Sequence, residues 1–279
     1  MERSVLITGA SKGIGRATTL RLARAGWRVF AGVRSEQDGQ SLQSEHDGIA
    51  PVMLDVTNAG QIADAAAHIG AQTGGTLHGV VNNAGIAIAG PLEHLPPDEL
   101  RRQLDVNVIG QVAVTQSVLP LLRRARGRIV FVGSISGRSS LPFTGPYAAS
   151  KHGLEAIADA WRVELMPLGV DVVLIQPGVI ATPIWETSIA AGDRMLAAAP
   201  PSLHDDYGQR LAALRKHAER GNEGLDADVV ARAIEDALTA SSPKTRYLIG
   251  NDARLRLWLQ RLLPGRMRDR LIAWRIDRM

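Results

Sequence analysis

The chain has no cysteine in its 279 residues. That single absence excludes disulfides, thiolate nucleophiles and Cys-ligated metals, and it suits a reducing, cytoplasmic setting. Aromatic residues are only 4% of the chain, so no basic surface is interleaved with rings in the manner of a nucleic-acid platform. No apolar run approaches the ~20 residues that cross a bilayer. The first apolar run, Val5-Leu6-Ile7, starts early, so no signal peptide is expected. The seven histidines show no ligand spacing, so no metal site is expected; His204 lies in the 183–225 segment, where it either faces solvent or touches a substrate.

What is present describes one globular body. Apolar residues are 45% and charged residues 22%, enough to bury a single large core. The formal net charge of +4 is unevenly placed. Residues 254–279 carry eight arginines against Asp269 and Asp277, a net of +6, which leaves the remaining 253 residues at −2. Basicity belongs to the tail, and a nucleic-acid partner is not expected.

Short β-branched runs alternate with longer helical patterns, which reads as repeated βα units building a parallel sheet. Strands are predicted near Ser4–Thr8, Arg28–Val33, Ala50–Asp55, Leu77–Asn82, Gly127–Gly133, Val170–Gln176 and Arg246–Ile249. Their near-continuous apolar character fits strands covered on both faces. Helices are predicted near Ile14–Ala25, Ala59–Thr73, Asp98–Arg124, Tyr147–Leu168 and Ala227–Ala240. The class is α/β: a doubly wound, seven-stranded parallel sheet with helices on both faces, in one domain spanning 1–279. Residues 183–225 break the rhythm and read as a substrate lid, and 251–279 as a basic amphipathic extension.

Two segments point to a dinucleotide. The first strand runs into Thr8-Gly9-Ala10-Ser11-Lys12-Gly13-Ile14-Gly15 and then a helix. Glycines there let the backbone approach a pyrophosphate, and the helix N-terminus offers free N–H groups. The second strand ends in Phe30-Ala31-Gly32-Val33-Arg34, with no carboxylate to hold a ribose 2′-hydroxyl. Arg34, with Lys12 in the glycine loop, suits a 2′-phosphate, so NADP(H) is favoured over NAD(H).

A third segment points to proton transfer. Tyr147 and Lys151 stand four residues apart, so on a helix they share a face. A phenol titrates near ~10, and a neighbouring cation favours its ionised form. Ser134, presented at a strand end, has the chemistry to hydrogen-bond the same substrate oxygen.

With these motifs in order, the chain resembles the short-chain dehydrogenase/reductase family over residues 3–182. Thr8 to Gly15 matches that family's cofactor loop, and Leu54-Asp55-Val56 the segment whose Asp meets the adenine ring. Asn82-Asn83-Ala84-Gly85 matches the motif beside the cofactor. Asn107, in Asp105-Val106-Asn107-Val108, matches the helix Asn that anchors a relay water. Ser134, Tyr147 and Lys151 match the catalytic set, and Pro177-Gly178, Val179 and Thr182 the loop flanking the nicotinamide. The Phe-Ala-Gly-Val-Arg segment and the long basic tail are similar to the branch holding retinol, 17β-hydroxysteroid and 3-hydroxybutyrate dehydrogenases.

The resemblance implies a Rossmann-type fold and an NADP-dependent enzyme acting on a small-molecule carbonyl or alcohol. It also implies a homodimer or homotetramer built on the helices around Asp98–Arg124 and Tyr147–Leu168. The alternative is a nucleotide-binding regulator or sensor of the same fold, which has no need of Asn107, Ser134, Tyr147 and Lys151 together. The tail reads as two amphipathic helices with arginine-rich outer faces. Three roles fit it: peripheral membrane contact, closure of the cleft, or a subunit interface.

Overall fold

The computed structural model describes residues 3–197, 201–219, 223–276 and 278. Seven strands form one parallel sheet: β1 (Ser4–Thr8), β2 (Arg28–Val33), β3 (Ile49–Met53), β4 (Gly79–Asn82), β5 (Arg128–Val132), β6 (Asp171–Pro177) and β7 (Arg246–Ile249). Their order across the sheet is β3-β2-β1-β4-β5-β6-β7. The chain winds outward from β1 to β3, then returns to the other side of β1 with β4. The crevice at the carboxyl ends of β1 and β4 is therefore the topological switch point, where open α/β sheets bind ligands.

Alternation along each strand feeds two cores. In β1, Val5 and Ile7 face one layer with Leu22, Val130 and Ile234. Leu6 faces the other with Phe30, Leu122, Phe131 and Leu154. Helices α1 (Gly13–Arg24), α2 (Glu36–Gln43), α3 (Ala59–Gln72), α4 (Pro97–Leu104), α5 (Gly110–Ala125) and α6 (Gly145–Leu165) connect the first six strands. After β6 come α7 (Ile184–Ala197), α8 (Pro201–Glu219) and α9 (Ala227–Thr239); after β7 come α10 (Asn251–Leu262) and α11 (Gly265–Ile276).

Three expectations are corrected. The single helix predicted over Asp98–Arg124 is two, joined by one turn of π-helix at Asp105–Ile109, where the Gly110 N–H bonds back to the Asp105 carbonyl. Helix α2 was not predicted: only Gly39 and Leu42 of its eight residues are buried, too few for a periodic signal, but the Ser35 side chain caps it by accepting from the Asp38 N–H at 3.2 Å. The tail forms two helices, but its arginines are not all outside. Leu255, Trp258, Leu262, Met267, Leu271 and Trp274 are exposed, whereas Arg256 turns inward.

The segment from 183 to 224 is closed at its base. Ile180 pairs with Leu225 in a parallel bridge, with the Ala181 N–H donating to the Leu225 carbonyl at 2.9 Å and the Leu225 N–H to the Val179 carbonyl at 3.1 Å. Within it, Tyr207 of α8 donates its hydroxyl to Glu93 at 2.7 Å and packs edge-on against Phe143 and His94. The side chain of His204 lies outside the described residues.

Candidate active site

The glycine loop is shaped by contact with its neighbours. A β-carbon on Gly15 would fall 2.2 Å from the Gly9 carbonyl oxygen, so only glycine fits. The Thr8 hydroxyl receives the N–H groups of Asn83 and Ala84 at 3.0 and 2.9 Å. The Asn83 amide donates to the carbonyls of Thr8 and Gly9 at 3.0 and 3.1 Å. Strand ends β1 and β4 are thereby stapled together beneath the loop. Lys12 occupies the N-cap of α1 without a side-chain hydrogen bond, so no side chain satisfies the first-turn N–H groups. That is the condition under which a helix N-terminus receives an anion.

From this loop a cavity of about 1150 Å³ extends across the carboxyl edge of the sheet. Gly9, Ser11, Lys12, Gly13 and Ile14 line one stretch; Arg34, Asp55 and Val56 line another, opposite Asn83, Ala84 and Gly85. Ser134, Tyr147, Lys151, Pro177, Gly178 and Thr182 line its far end. Gly15, Asn107 and Val179 do not line it. Thr182 abuts the glycine loop directly: a β-carbon on Gly13 would meet its methyl group at 3.1 Å. A cavity lined by an uncapped helix N-terminus, Lys12 and Arg34 fits a dinucleotide. Among the described residues no cluster of three His, Asp or Glu is arranged to hold a metal ion.

Asp55 accepts from the Thr57 hydroxyl and N–H at 2.7 and 2.9 Å. The Thr57 hydroxyl chiefly holds its carboxyl below the usual range, with Arg34 adding to the effect. Arg34 and Asp55 thus share one edge of the cavity.

At the far end, Ser134 is the last residue before a 3₁₀ turn, and its Oγ accepts from the Ser136 N–H at 3.1 Å. Tyr147 and Lys151 lie one turn apart on α6. Lys151 Nζ donates to the Val132 carbonyl at 2.8 Å and sits 5.6 Å from the centre of the Tyr147 ring. Burial raises the Tyr147 phenol above its ordinary value; the Ser134 hydroxyl and the Arg256 guanidinium pull it back. Burial outweighs the groups that favour the phenolate. Lys151 is itself only 5% exposed, and burial lowers it from 10.5 to about 8.

This depression has a stability consequence. Below about pH 8 the folded protein carries a buried ammonium, at a cost on the order of 3 kcal/mol for a shift of this size. Between about 8 and 10.5 the unfolded chain holds the proton more tightly than the folded one, so stability rises with pH through that window. Lys151→Met removes that cost and loses one hydrogen bond of about 1 kcal/mol. It is expected to be about 2 kcal/mol more stable than the parent near neutral pH, by urea denaturation, with the difference crossing zero near about pH 10 and reversing to about 1 kcal/mol in favour of the parent above about pH 10.5.

Asn107 is fully buried in the π-turn and acts on the backbone. Its Oδ1 accepts from the Ile86 N–H at 2.9 Å, and its Nδ2 donates to the Ile86 carbonyl and the Ser150 hydroxyl, both at 3.0 Å. Ser150 in turn donates to the Tyr147 carbonyl at 2.7 Å. The sequence reading missed its companions. Gln103 accepts from the Ile88 N–H at 2.7 Å, and Gln111 donates to the Ala84 carbonyl at 2.9 Å. Gln103, Asn107, Gln111 and Thr115 are all fully buried and recur every four residues. That polar stripe within an otherwise helical pattern was a visible signal.

The family model described as short chain dehydrogenase matches residues 3–192. Mouse retinol dehydrogenase 5 is 36% identical, covering 98% of this chain and 89% of that protein. The NADPH-dependent 3-dehydrocapnine reductase of Ornithobacterium rhinotracheale is 35% identical, covering 96% and 95%. A short chain dehydrogenase from Burkholderia cenocepacia, solved in complex with NADP, superposes with a TM-score of 0.75 at 25% identity over 97% of each chain. The chain belongs to the short-chain dehydrogenase/reductase family of oxidoreductases, in the branch that holds the retinol dehydrogenases.

Proposed function

We propose that this oxidoreductase uses NADP(H) to interconvert a secondary alcohol and a ketone, or a primary alcohol and an aldehyde, on a lipophilic substrate such as a retinoid, steroid or 3-hydroxyacyl compound. The observation that carries the reading is that Ser134, Tyr147 and Lys151 open into the same cavity as the glycine loop. The cofactor supplies the hydride. Tyr147 gives a proton to the carbonyl oxygen in reduction and takes one from the alcohol in oxidation. Ser134 holds that oxygen by a hydrogen bond. Lys151 contributes positive charge beneath the phenol and binds the cofactor ribose. Asn107 fixes the π-turn and the relay of protons toward Lys151.

Residues Gly9 to Gly15 would hold the pyrophosphate, Asp55 and Val56 the adenine, and Pro177, Gly178, Val179 and Thr182 the nicotinamide. Preference for NADP(H) rests on Arg34 and Lys12 and on the strand end without a carboxylate. The NADPH-dependent relative and the NADP-bound neighbour support it. Relatives named for retinol support a lipophilic alcohol, and α7 and α8 would form the lid that selects it. Assays of retinoids, steroids, 3-oxoacyl compounds and simple ketones at the NADPH absorbance band test this. Absence of turnover across all four classes would remove the reading.

The exposed Ile109, Val163 and Met166 on the helices flanking the sheet support assembly as a homodimer or homotetramer, which light scattering reads as a mass. No helix of the described residues is long and apolar enough to cross a membrane. The exposed Trp258, Leu262, Met267 and Trp274, set among arginines, support peripheral attachment to an anionic membrane. Trp258→Glu with Trp274→Glu is expected to cut co-sedimentation with phosphatidylserine vesicles at least tenfold; unchanged binding would exclude the tail as the contact.

A further inference from the structure

The loop after β6 runs past the end of the sheet, where its backbone needs partners that strands no longer supply. Pro177 and Ile249 are the last paired residues of β6 and β7, and the Gly178 N–H still donates to the Ile249 carbonyl at 2.8 Å. One residue on, β7 has ended. Gly250, with a φ of +103°, turns the chain away from the strand and into α10. The Val179 N–H is thus the first donor of the loop without a strand partner, and an amide left unpaired there is costly. Asp252, in the first turn of α10, takes the strand's place: its Oδ2 accepts the Val179 N–H at 2.9 Å.

Two glycines make room for this one carboxylate. A β-carbon on Gly178 would fall 2.2 Å from Asp252 Oδ2, and one on Gly250 would fall 2.4 Å from Asp252 Oδ1. The next residue, Ala253, is fully buried, and Arg256 Nη2 donates to the Ser139 carbonyl at 2.6 Å, so α10 is fixed to the body of the protein. The Val179 carbonyl is held as well, by the Leu225 N–H at 3.1 Å, where the 183–224 segment returns. Val179 does not itself line the cavity, but Gly178 and Ile180 on either side of it do. Holding Val179 at both its N–H and its carbonyl therefore fixes where that wall of the cavity stands.

We propose that Asp252 is a positioning residue for the cofactor: from the C-terminal extension it holds the Val179 N–H and so sets the wall against which the nicotinamide half of NADP(H) lies. This rests on the reading of Pro177 to Thr182 as the nicotinamide loop. Asp252 does not line the cavity and acts through the backbone of Gly178 and Val179. On the same reading the adenine half is held elsewhere, along Arg34, Asp55 and Val56, where Asp252 has no part.

That division supplies the test. NADPH carries both halves, whereas 2′,5′-ADP carries only the adenine half with its 2′-phosphate, and calorimetric titration of the full chain gives both dissociation constants. Asp252→Ala removes the acceptor and is expected to raise the NADPH dissociation constant about tenfold or more, leaving that for 2′,5′-ADP within about twofold. Asp252→Asn, which keeps an oxygen for the Val179 N–H, is expected to bring NADPH back to within about threefold of the parent. Should Asp252→Ala fail to fold, Gly178→Ala tests the same contact from the loop side, because its methyl group must push the carboxylate away. The same split between the two ligands is expected.

Parental affinity for NADPH in the alanine variant overturns the proposal, and so does an equal loss for both ligands, which would mark a general loss of structure. An Asp252→Asn protein as weak as Asp252→Ala overturns the acceptor role too. In each case the parent still binds NADPH and the cofactor reading stands. A parent that binds neither ligand overturns both.

Discussion

Tyr147→Phe is expected to lower kcat by about a thousandfold or more while leaving the NADPH dissociation constant within about twofold of the parent. The change removes one oxygen and keeps the ring that lies against Lys151, so cofactor and substrate are still held. What is lost is the group that carries the proton. General acid–base catalysis contributes about 10² to 10⁴ in rate, and without Tyr147 only water remains to protonate a developing alkoxide. Stopped-flow fluorescence gives NADPH binding and steady-state absorbance gives turnover. Comparable activity in this variant would remove Tyr147 from the chemistry.

Arg34→Asp is the second large effect. In the parent, Arg34 directly follows β2 and lines the same cavity as Lys12. A charge-assisted hydrogen bond to a phosphate is worth about 1.5–3 kcal/mol, and an aspartate in its place adds repulsion. The Michaelis constant for NADPH is expected to rise about a hundredfold, and that for NADH by less than about threefold, since NADH carries no 2′-phosphate. The Asp55 carboxyl, which Arg34 helps to keep ionised, then gains a like-charged neighbour at the same edge. Equal rises for the two cofactors would refute the selectivity argument.

Much of the fold was legible because parallel strands buried on both faces leave compact apolar runs. Three of the seven, Ser4–Thr8, Arg28–Val33 and Arg246–Ile249, have the bounds predicted from sequence. The glycine loop and the Tyr147–Lys151 pair were legible because each is a local spacing whose chemistry depends on that spacing. The π-turn was not, since it adds one residue to a turn without disturbing the apolar pattern around it. Helix α2 was hidden by its polar surface, and its Ser35 cap was the only local signal.

The tail was misread for a different reason. Periodicity assigns arginines to solvent, whereas tertiary contact decides which one turns in. Arg256 differs from its seven neighbours only in what α10 packs against, namely the 3₁₀ turn after Ser134 and the loop after β6. Nothing in the local sequence carries that information. The same holds for the phenol. Sequence alone set Lys151 against Tyr147, but depth in the protein pushes the phenol up and draws Lys151 down to about 8.

In this scheme the Tyr147 oxygen is the atom through which the reaction's proton passes. The most direct measurement compares two titrations of the unmodified protein with NADP⁺ bound: the ultraviolet appearance of the Tyr147 phenolate and the rising limb of kcat/KM for alcohol oxidation. Coincident midpoints are the predicted result, and a rate that rises well away from the point at which Tyr147 ionises would contradict it.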